Sequence, residues 1–281
     1  MTWQDRCSTL DRSKHLGWLW WAILLMFPHT GEASPPVAGL LATGLVGQAQ
    51  TGTIKGRLVW GDENIPPAKV LVEKGKSDKD PDICAKDKPI VSRELVVDPK
   101  TKGVAHGFAY LVRPKGDSTD ASRDLVAKQP KVALDQKSCE FQPYALPLHK
   151  DQTLVIKSSD PKSHNVRFAG FNNPGINQTV APLGQLEVKL VPDRLPLELH
   201  CDIHPWMKGY LMVFDHPFFT TTGTDGAFEI KGVPAGDQSL IVWQEKVGYV
   251  TPGRSQGMPV TVRAGGVTDV GVIKLDLAKG K

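Results

Sequence analysis

The sequence predicts an all-β protein on three observations. Its 281 residues include 27 glycines and 22 prolines, the residues that separate short strands with tight turns. Stretches such as 57–60, 69–72 and 239–243 are apolar or alternate apolar with polar residues, as half-buried strands do. Turn signals lie between them, among them Gly61-Asp62 and Asp225-Gly226. This length suffices for one large or two ordinary domains.

The first 49 residues predict export. Basic residues at positions 6, 12 and 14 precede an apolar run over 16–27, which Pro28 ends. The run has the length of a signal-peptide core and is short for a membrane span. Ala33 and Ala49 offer cleavage sites, and a second apolar patch over 37–46 leaves an uncleaved N-terminal anchor as the alternative. Either way, we expect the remaining chain in the periplasm or outside the cell.

Export determines how the four cysteines are interpreted. Cys7 falls in the leader, so Cys84, Cys139 and Cys201 remain, an odd number for an oxidising compartment. One interpretation is a disulfide between Cys84 and Cys139, with Cys201 held as a thiolate by a metal ion. The alternative is three independent cysteines.

The chain after the leader begins with short strands, from residue 53 to about 112. They are interrupted by a charged loop over 74–88 that contains Cys84. Residues 113–129 are polar and charged and predict an exposed connection. Lys and Arg are scattered among Asp and Glu at a net charge of +4, so the sequence does not indicate nucleic-acid binding.

A short loop further along the chain carries three soft or borderline metal donors. Cys201, His204 and Met207 lie between strand-like stretches over 197–199 and 210–214. A thiolate, two imidazoles and a weak thioether form the blue-copper arrangement for electron transfer. The second imidazole has to come from elsewhere, and His164, after the strand over 153–157 and a turn, is the candidate.

These two segments resemble the cupredoxin family, whose fold is a Greek-key β-sandwich. Cys201-x2-His204-x2-Met207 is similar to the short amicyanin-type ligand loop, and His164-Asn165-Val166 is similar to the family's first ligand loop. The resemblance covers residues 153–214, less than a quarter of the chain. It implies one type 1 copper ion bound by the following residues: His164, Cys201, His204 and Met207.

The resemblance also assigns roles around the ligands. Asn165 would tie the two ligand loops together by hydrogen bonds. The backbone near Asp202 would be a second group that surrounds the ligands and influences the site. His204, Pro205 and Trp206 would lie at the surface and form the electron port. A packing lid over the loop is the other interpretation of Trp206, and the two are compatible.

The sequence pattern changes after residue 214. Thr224-Asp225-Gly226-Ala227-Phe228, followed by Val233-Pro234-Ala235-Gly236, resembles the carboxypeptidase regulatory-like (transthyretin-like) β-sandwich. The resulting organisation is a leader (1–49), a cupredoxin-like copper domain with an N-terminal extension (50–214) and a smaller β-sandwich (215–281). Residues 52–60 are similar to the first strand of the same repeat, so their pairing with the C-terminal part stays open.

The whole layout is similar to exported bacterial proteins that pair a plastocyanin-like with a regulatory-like segment, some of them methylamine-utilisation-like. We expect a carrier of single electrons between redox proteins. The alternatives are a copper carrier or storage protein, and a structural β-sandwich with an incidental metal site. We do not expect an enzyme, because the sequence has no His-x-His pair and no second Cys four residues from Cys201. Membrane contact would come only through an uncleaved anchor.

Overall fold

The computed structural model describes residues 50–279, so the predicted signal peptide or anchor over residues 1–49 lies outside the described residues. Strands dominate the described part. They are β1 (Thr51–Trp60), β2 (Val70–Val72), β3 (Ile90–Val91), β4 (Phe108–Leu111), β5 (Lys131–Lys137), β6 (Glu140–Gln142), β7 (Ala145–His149), β8 (Thr153–Ser158), β9 (His164–Phe168), β10 (Ile176–Val180), β11 (Gln185–Val188), β12 (Leu197–His200), β13 (Lys208–Phe214), β14 (Phe219–Thr221), β15 (Ala227–Pro234), β16 (Gly236–Gln244), β17 (Gly248–Tyr249), β18 (Met258–Val262) and β19 (Val267–Leu275). The predicted all-β fold class is confirmed.

Within the part of the chain that the structure describes, helical structure is confined to short pieces. One α-helix, α1 (Thr119–Lys128), lies in the stretch predicted as an exposed connection, and none of its side chains is buried. Two 3-10 turns follow near the C-terminus, Arg254–Gln256 and Leu277–Lys279. No helix within residues 50–279 is both long enough and apolar enough to cross a membrane.

The first sandwich consists of two sheets, with strand orders β10-β9-β12-β13-β7 and β11-β8-β5-β6. Alternation along β5 shows why the layers form, since Val132 and Leu134 are buried while their neighbours along the strand are exposed or half-buried. Leu134 and Ile156 of one sheet pack in the same fully buried core as Leu199 of the other. This core also contains the predicted metal-binding loop.

The second sandwich is built from both ends of the described chain. Its sheets have the orders β15-β1-β19 and β14-β4-β16-β17, with β18 also paired to β16. Strand β1 runs antiparallel to β15, with Ile54 opposite Ile230, and parallel to β19, with Leu58 opposite Ile273. The pairing that the sequence left open for residues 52–60 is therefore with the C-terminal strands.

The predicted range of the copper domain, 50–214, differs from the observed layout in one further respect. Strand β4 lies within that range but pairs with β14 and β16 of the second sandwich. Leu58 of β1 and Leu111 of β4 are fully buried in the second core, together with Leu240. Alternation in sequence specifies which face of a strand is buried, but it does not specify the partner strand.

Candidate metal centre

The loop between β12 and β13 is shaped by its own hydrogen bonds. The backbone N–H of His204 points at the sulfur of Cys201 at 3.4 Å, and the N–H of Met207 donates to the carbonyl of His204 at 2.9 Å. These contacts close two successive turns between the strand ends. They place the thiol of Cys201 and the ring of His204 on the same side of the loop.

Strand pairing brings the second histidine to this loop. Strand β12 pairs with β9 through His200 opposite Arg167, so the start of β9 lies beside the residue that follows β12. His164 is the first residue of β9. Its Nδ1 lies 2.9 Å from Nδ1 of His204, which is itself 3.9 Å from the sulfur of Cys201.

The cluster of His164, Cys201 and His204 is closed to solvent. Both histidines are 0% exposed and Cys201 is 3% exposed. One donor atom from each of the three lies within 4.8 Å of the others. Met207 is buried in the same core as Cys201. The structure thus brings three of the four predicted ligands together and places the fourth on the same loop.

A carboxylate contacts the outer nitrogen of each histidine ring. Nε2 of His164 is 2.8 Å from Oδ2 of Asp160, and Nε2 of His204 is 3.0 Å from Oδ2 of Asp80. Carboxylates that accept the outer N–H fix the tautomer and the orientation of a metal-binding imidazole. Both Nδ1 atoms then face the common point beside the sulfur.

The pKa values of the cluster favour a thiolate. Burial alone would raise the pKa of the Cys201 thiol, but hydrogen bonds from His164, His204 and the backbone of Asn165 lower it to about 6. For His164, burial alone would lower the pKa, but hydrogen bonds with Asp160 and Cys201 raise it to about 9. The lowered pKa favours the thiolate, which is the form that binds metals.

Asn165 connects strand β9 to the loop between β12 and β13. Its side-chain oxygen accepts the backbone N–H of Asp202, and its amide nitrogen donates to Oδ2 of Asp202 at 3.2 Å and to Oδ1 of Asn177 at 2.6 Å. Arg167 donates to the other oxygen of Asp202 at 2.8 Å. The hydrogen-bond geometry is that expected for Asn165 and Asp202 from the sequence, although the Asp202 side chain takes part as well as its backbone.

The surface position predicted for His204 is wrong, because its ring is fully buried. Residues 73–89, which connect β2 to β3, lie over the loop and supply the Asp80 contact. Pro205 is exposed and Trp206 is half-buried, with its ring centroid 5.3 Å from that of His204. The indole N–H of Trp206 donates to the carbonyl of Cys139 at 3.2 Å.

A disulfide anchors this covering segment. Cys84 and Cys139 are bonded, with their Cα atoms 5.3 Å apart, and both are fully buried. Their sulfurs lie within 4.8 Å of a ring nitrogen of His204. Asp160 also accepts the backbone N–H of Cys139 at 2.8 Å. Cys201 is the free cysteine among residues 50–279.

Neither carboxylate was predicted as a partner of the histidine rings. Asp160 is four residues before His164, so its spacing offered a signal. Asp80 is 124 residues away from His204 and lies in a charged loop, so no local pattern marked it.

The donor set fits a copper ion. A thiolate with two imidazoles suits copper and zinc alike, and a buried thioether on the same loop favours copper. Burial of all donors would keep water away from the ion. Cys201, His164 and His204 would be its principal ligands, and the Met207 thioether would be a weaker donor.

No protein-family model matches the sequence, and the search of curated proteins found no match. Among solved structures, a Cu(I) form of an amicyanin mutant at pH 4 is 16% identical over 30% of this chain and 82% of its own, with a TM-score of 0.27. Another Cu(I) amicyanin mutant is 13% identical over 38% of this chain and 98% of its own, with a TM-score of 0.27. A Cu-containing nitrite reductase from Thermus scotoductus SA-01 is 18% identical over 30% of this chain and 22% of its own, also with a TM-score of 0.27. At such identities and scores, ligands have to be inferred from this chain's own side chains.

Proposed function

We propose that this protein is a type 1 copper protein that carries single electrons between redox partners outside the cytoplasm. The observation that carries the proposal is the convergence of the Cys201 sulfur and two imidazole Nδ1 atoms in one solvent-free cluster. Bound copper would supply a one-electron couple between Cu(II) and Cu(I). The partners that deliver and accept the electron would be other redox proteins.

The chain's own contribution is rigidity. His164 begins a strand, Cys201 directly follows one, and Met207 directly precedes another, so three of the four backbone positions lie in or next to a sheet. Asn165 and Asp202 lock the two segments to each other. A site that cannot relax between the two oxidation states has a small reorganisation cost, which fast electron transfer requires.

The port through which electrons leave has to differ from the one predicted. Because Asp80 covers His204, the exposed Pro205 and the half-buried Trp206 remain as the port residues of this loop. Trp206 serves as packing over Cys139 and as the link from His204 to the surface.

A copper carrier or storage protein is the weaker candidate. Metal delivery requires ligands that a receiving protein can reach, and here the three clustered residues are at most 3% exposed. The disulfide supports a location in an oxidising compartment, where such bonds persist. We propose the periplasm or the extracellular space, with the leader either removed or retained as an anchor.

Optical and EPR spectra of the copper-loaded protein test the proposal. We expect an intense absorption at roughly 600 nm from the thiolate-to-copper transition. Cys201→Ser should abolish this band, whereas Met207→Gln should keep a coloured site with a lower reduction potential. Cu(II) binding without the band, or an unchanged spectrum in Cys201→Ser, would contradict a type 1 site.

A further inference from the structure

Asp80 contacts the metal-binding loop from a distant part of the chain. Its carboxylate oxygen lies 3.0 Å from Nε2 of the fully buried His204. The backbone of Asp80 has a positive φ of 44°, a conformation that Asp and Asn tolerate better than most residues. Its carbonyl accepts the N–H groups of Ile83 and Cys84 at 2.9 and 2.8 Å, which fixes the turn that presents the side chain.

The covering segment over 73–89 is held on several sides. Lys162, from the turn that precedes His164, lies 3.4 Å from Asp80 and 3.0 Å from Asp82. Cys84 is bonded to Cys139, and the N–H of Gly75 donates to the carbonyl of Ala85 at 2.7 Å at the base of the segment. The Asp80 carboxylate is thus fixed relative to the ring that it contacts.

We propose that Asp80 is a positioning residue for His204: it holds the ring in the Nε2–H tautomer and lowers the reduction potential of the site. The effect on potential rests on the proposed function, whereas the effect on the tautomer does not. An acceptor at Nε2 directs the lone pair of Nδ1 toward the cluster. A fixed negative charge at the far edge of a ligand ring also stabilises the more positive oxidation state.

Asp160 stands in the same relation to His164, but it is a poor residue for the test. Its carboxylate also accepts the backbone N–H groups of Ser138 and Cys139. Replacing it would disturb the turn beside the disulfide. Asp80 has no such second role for its carboxylate apart from the ion pair with Lys162.

The test compares Asp80→Asn with Asp82→Asn. Both variants remove one negative charge from the same segment and from the same partner, Lys162, but only Asp80 contacts His204. Asn also keeps the tolerance for the positive φ at position 80. At a fixed solution potential, we expect the Cu(I)/Cu(II) ratio of Asp80→Asn to rise about tenfold, or ~59 mV for one electron. Asp82→Asn should change the ratio by less than about twofold, and Asp80→Glu should recover part of the wild-type value.

A second measurement does not depend on copper. In the Zn(II)-loaded protein, ¹⁵N NMR of the histidine rings should show His204 with a bonded, slowly exchanging proton on Nε2. That proton should exchange faster in Asp80→Asn and stay unchanged in Asp82→Asn. The wild-type spectrum alone is informative if Asp80→Asn fails to fold.

The outcomes separate the two proposals. Equal changes of potential in the two Asn variants, or a rapidly exchanging Nε2 proton in wild-type protein, would overturn the role of Asp80. A wild-type copper form without the strong visible band would overturn the proposed function. In that case the Zn(II) spectra would still decide whether Asp80 positions His204.

Discussion

Two buried histidines of this protein differ in what surrounds them. His164 faces the carboxylate of Asp160 and the sulfur of Cys201, which together raise its pKa. His216, which is 6% exposed, accepts the N–H of Phe218 at Nδ1. Burial lowers the pKa of His216 to about 4, and the charge of Asp215 opposes this only in part. His216 therefore stays neutral in the folded protein over most of the acidic range.

The lowered pKa of His216 predicts that the free energy of unfolding decreases in acid. The folded-state pKa of His216 is lower than its ordinary value of 6.5, so the unfolded chain takes up the proton first as pH falls. The contribution of His216 is present above pH 6.5 and is lost as pH falls toward 4. We expect urea unfolding of the metal-free protein to lose roughly 2 to 3 kcal/mol from this residue between about pH 7.5 and pH 4.5.

Replacing His216 isolates its contribution to the pH dependence of the free energy of unfolding. His216→Gln should be less stable than wild type at neutral pH but should show a shallower decline in the free energy of unfolding with acid. His200→Gln, at a more exposed position, is the matched control and should keep the wild-type decline. Parallel declines in wild type and His216→Gln would show that this imidazole is not the acid-sensitive group.

The residues of the donor cluster could be picked out from sequence because their signal is local. Cys201, His204 and Met207 lie within seven residues, and His164 follows a recognisable strand and turn. The environment of His204 could not be predicted in the same way. Asp80 reaches it across 124 residues, and side-chain chemistry alone gives no information about such a pairing. This is why a surface position was predicted for a ring that is in fact covered.

At the scale of elements, the segment over 73–89 depends on its disulfide. Beyond the short β2–β3 pairing at its base, it has no strand or helix of its own, and the bond from Cys84 to Cys139 joins residues 55 apart in sequence. Closing a loop of that length removes conformational entropy from the unfolded chain, which is worth about 4 kcal/mol in the chain-entropy account.

Removing this bond should loosen the cover over the site. We expect the double variant Cys84→Ala with Cys139→Ala to lose about 4 kcal/mol of unfolding free energy. It should also release bound copper to a chelator several times faster, because His204 becomes accessible when Asp80 moves away. Unfolding curves and extraction rates measure the two effects. Unchanged extraction together with lower stability would mean that the segment covers the site without its disulfide.

Among the described residues, the strands and helix α1 differ in how well the sequence indicated them. Strands such as β5 and β13 carry an apolar pattern because one or both faces are buried. Helix α1 fully buries no side chain, and its half-buried Ala121, Leu125 and Val126 form only a short stripe in a polar stretch, so its exposure was predicted while its helical form was not.

At the scale of the whole molecule, the chain leaves the second sandwich and later returns to it. Strands β1 and β4 precede the first sandwich in sequence, and β14–β19 follow it. The two sandwiches also share an ion-pair cluster at Lys208, the residue after Met207. Its ammonium group lies 3.0 Å from Glu198 and 2.6 Å from Glu245. The regulatory-like character of the second sandwich stays a prediction, since its strands alone do not identify a family.

This topology predicts that residues 215–281 do not fold alone. Without the rest of the chain, one sheet loses β1 from between β15 and β19, and the other loses β4 from between β14 and β16. The missing strands carry fully buried Ile54, Leu58 and Leu111, so the fragment would expose the surfaces that cover them. We expect the isolated fragment to show no cooperative unfolding transition in urea. Adding a peptide of residues 50–112, which supplies both strands, should restore such a transition. If the fragment unfolded cooperatively by itself, β1 and β4 would be additions to an autonomous domain rather than its central strands.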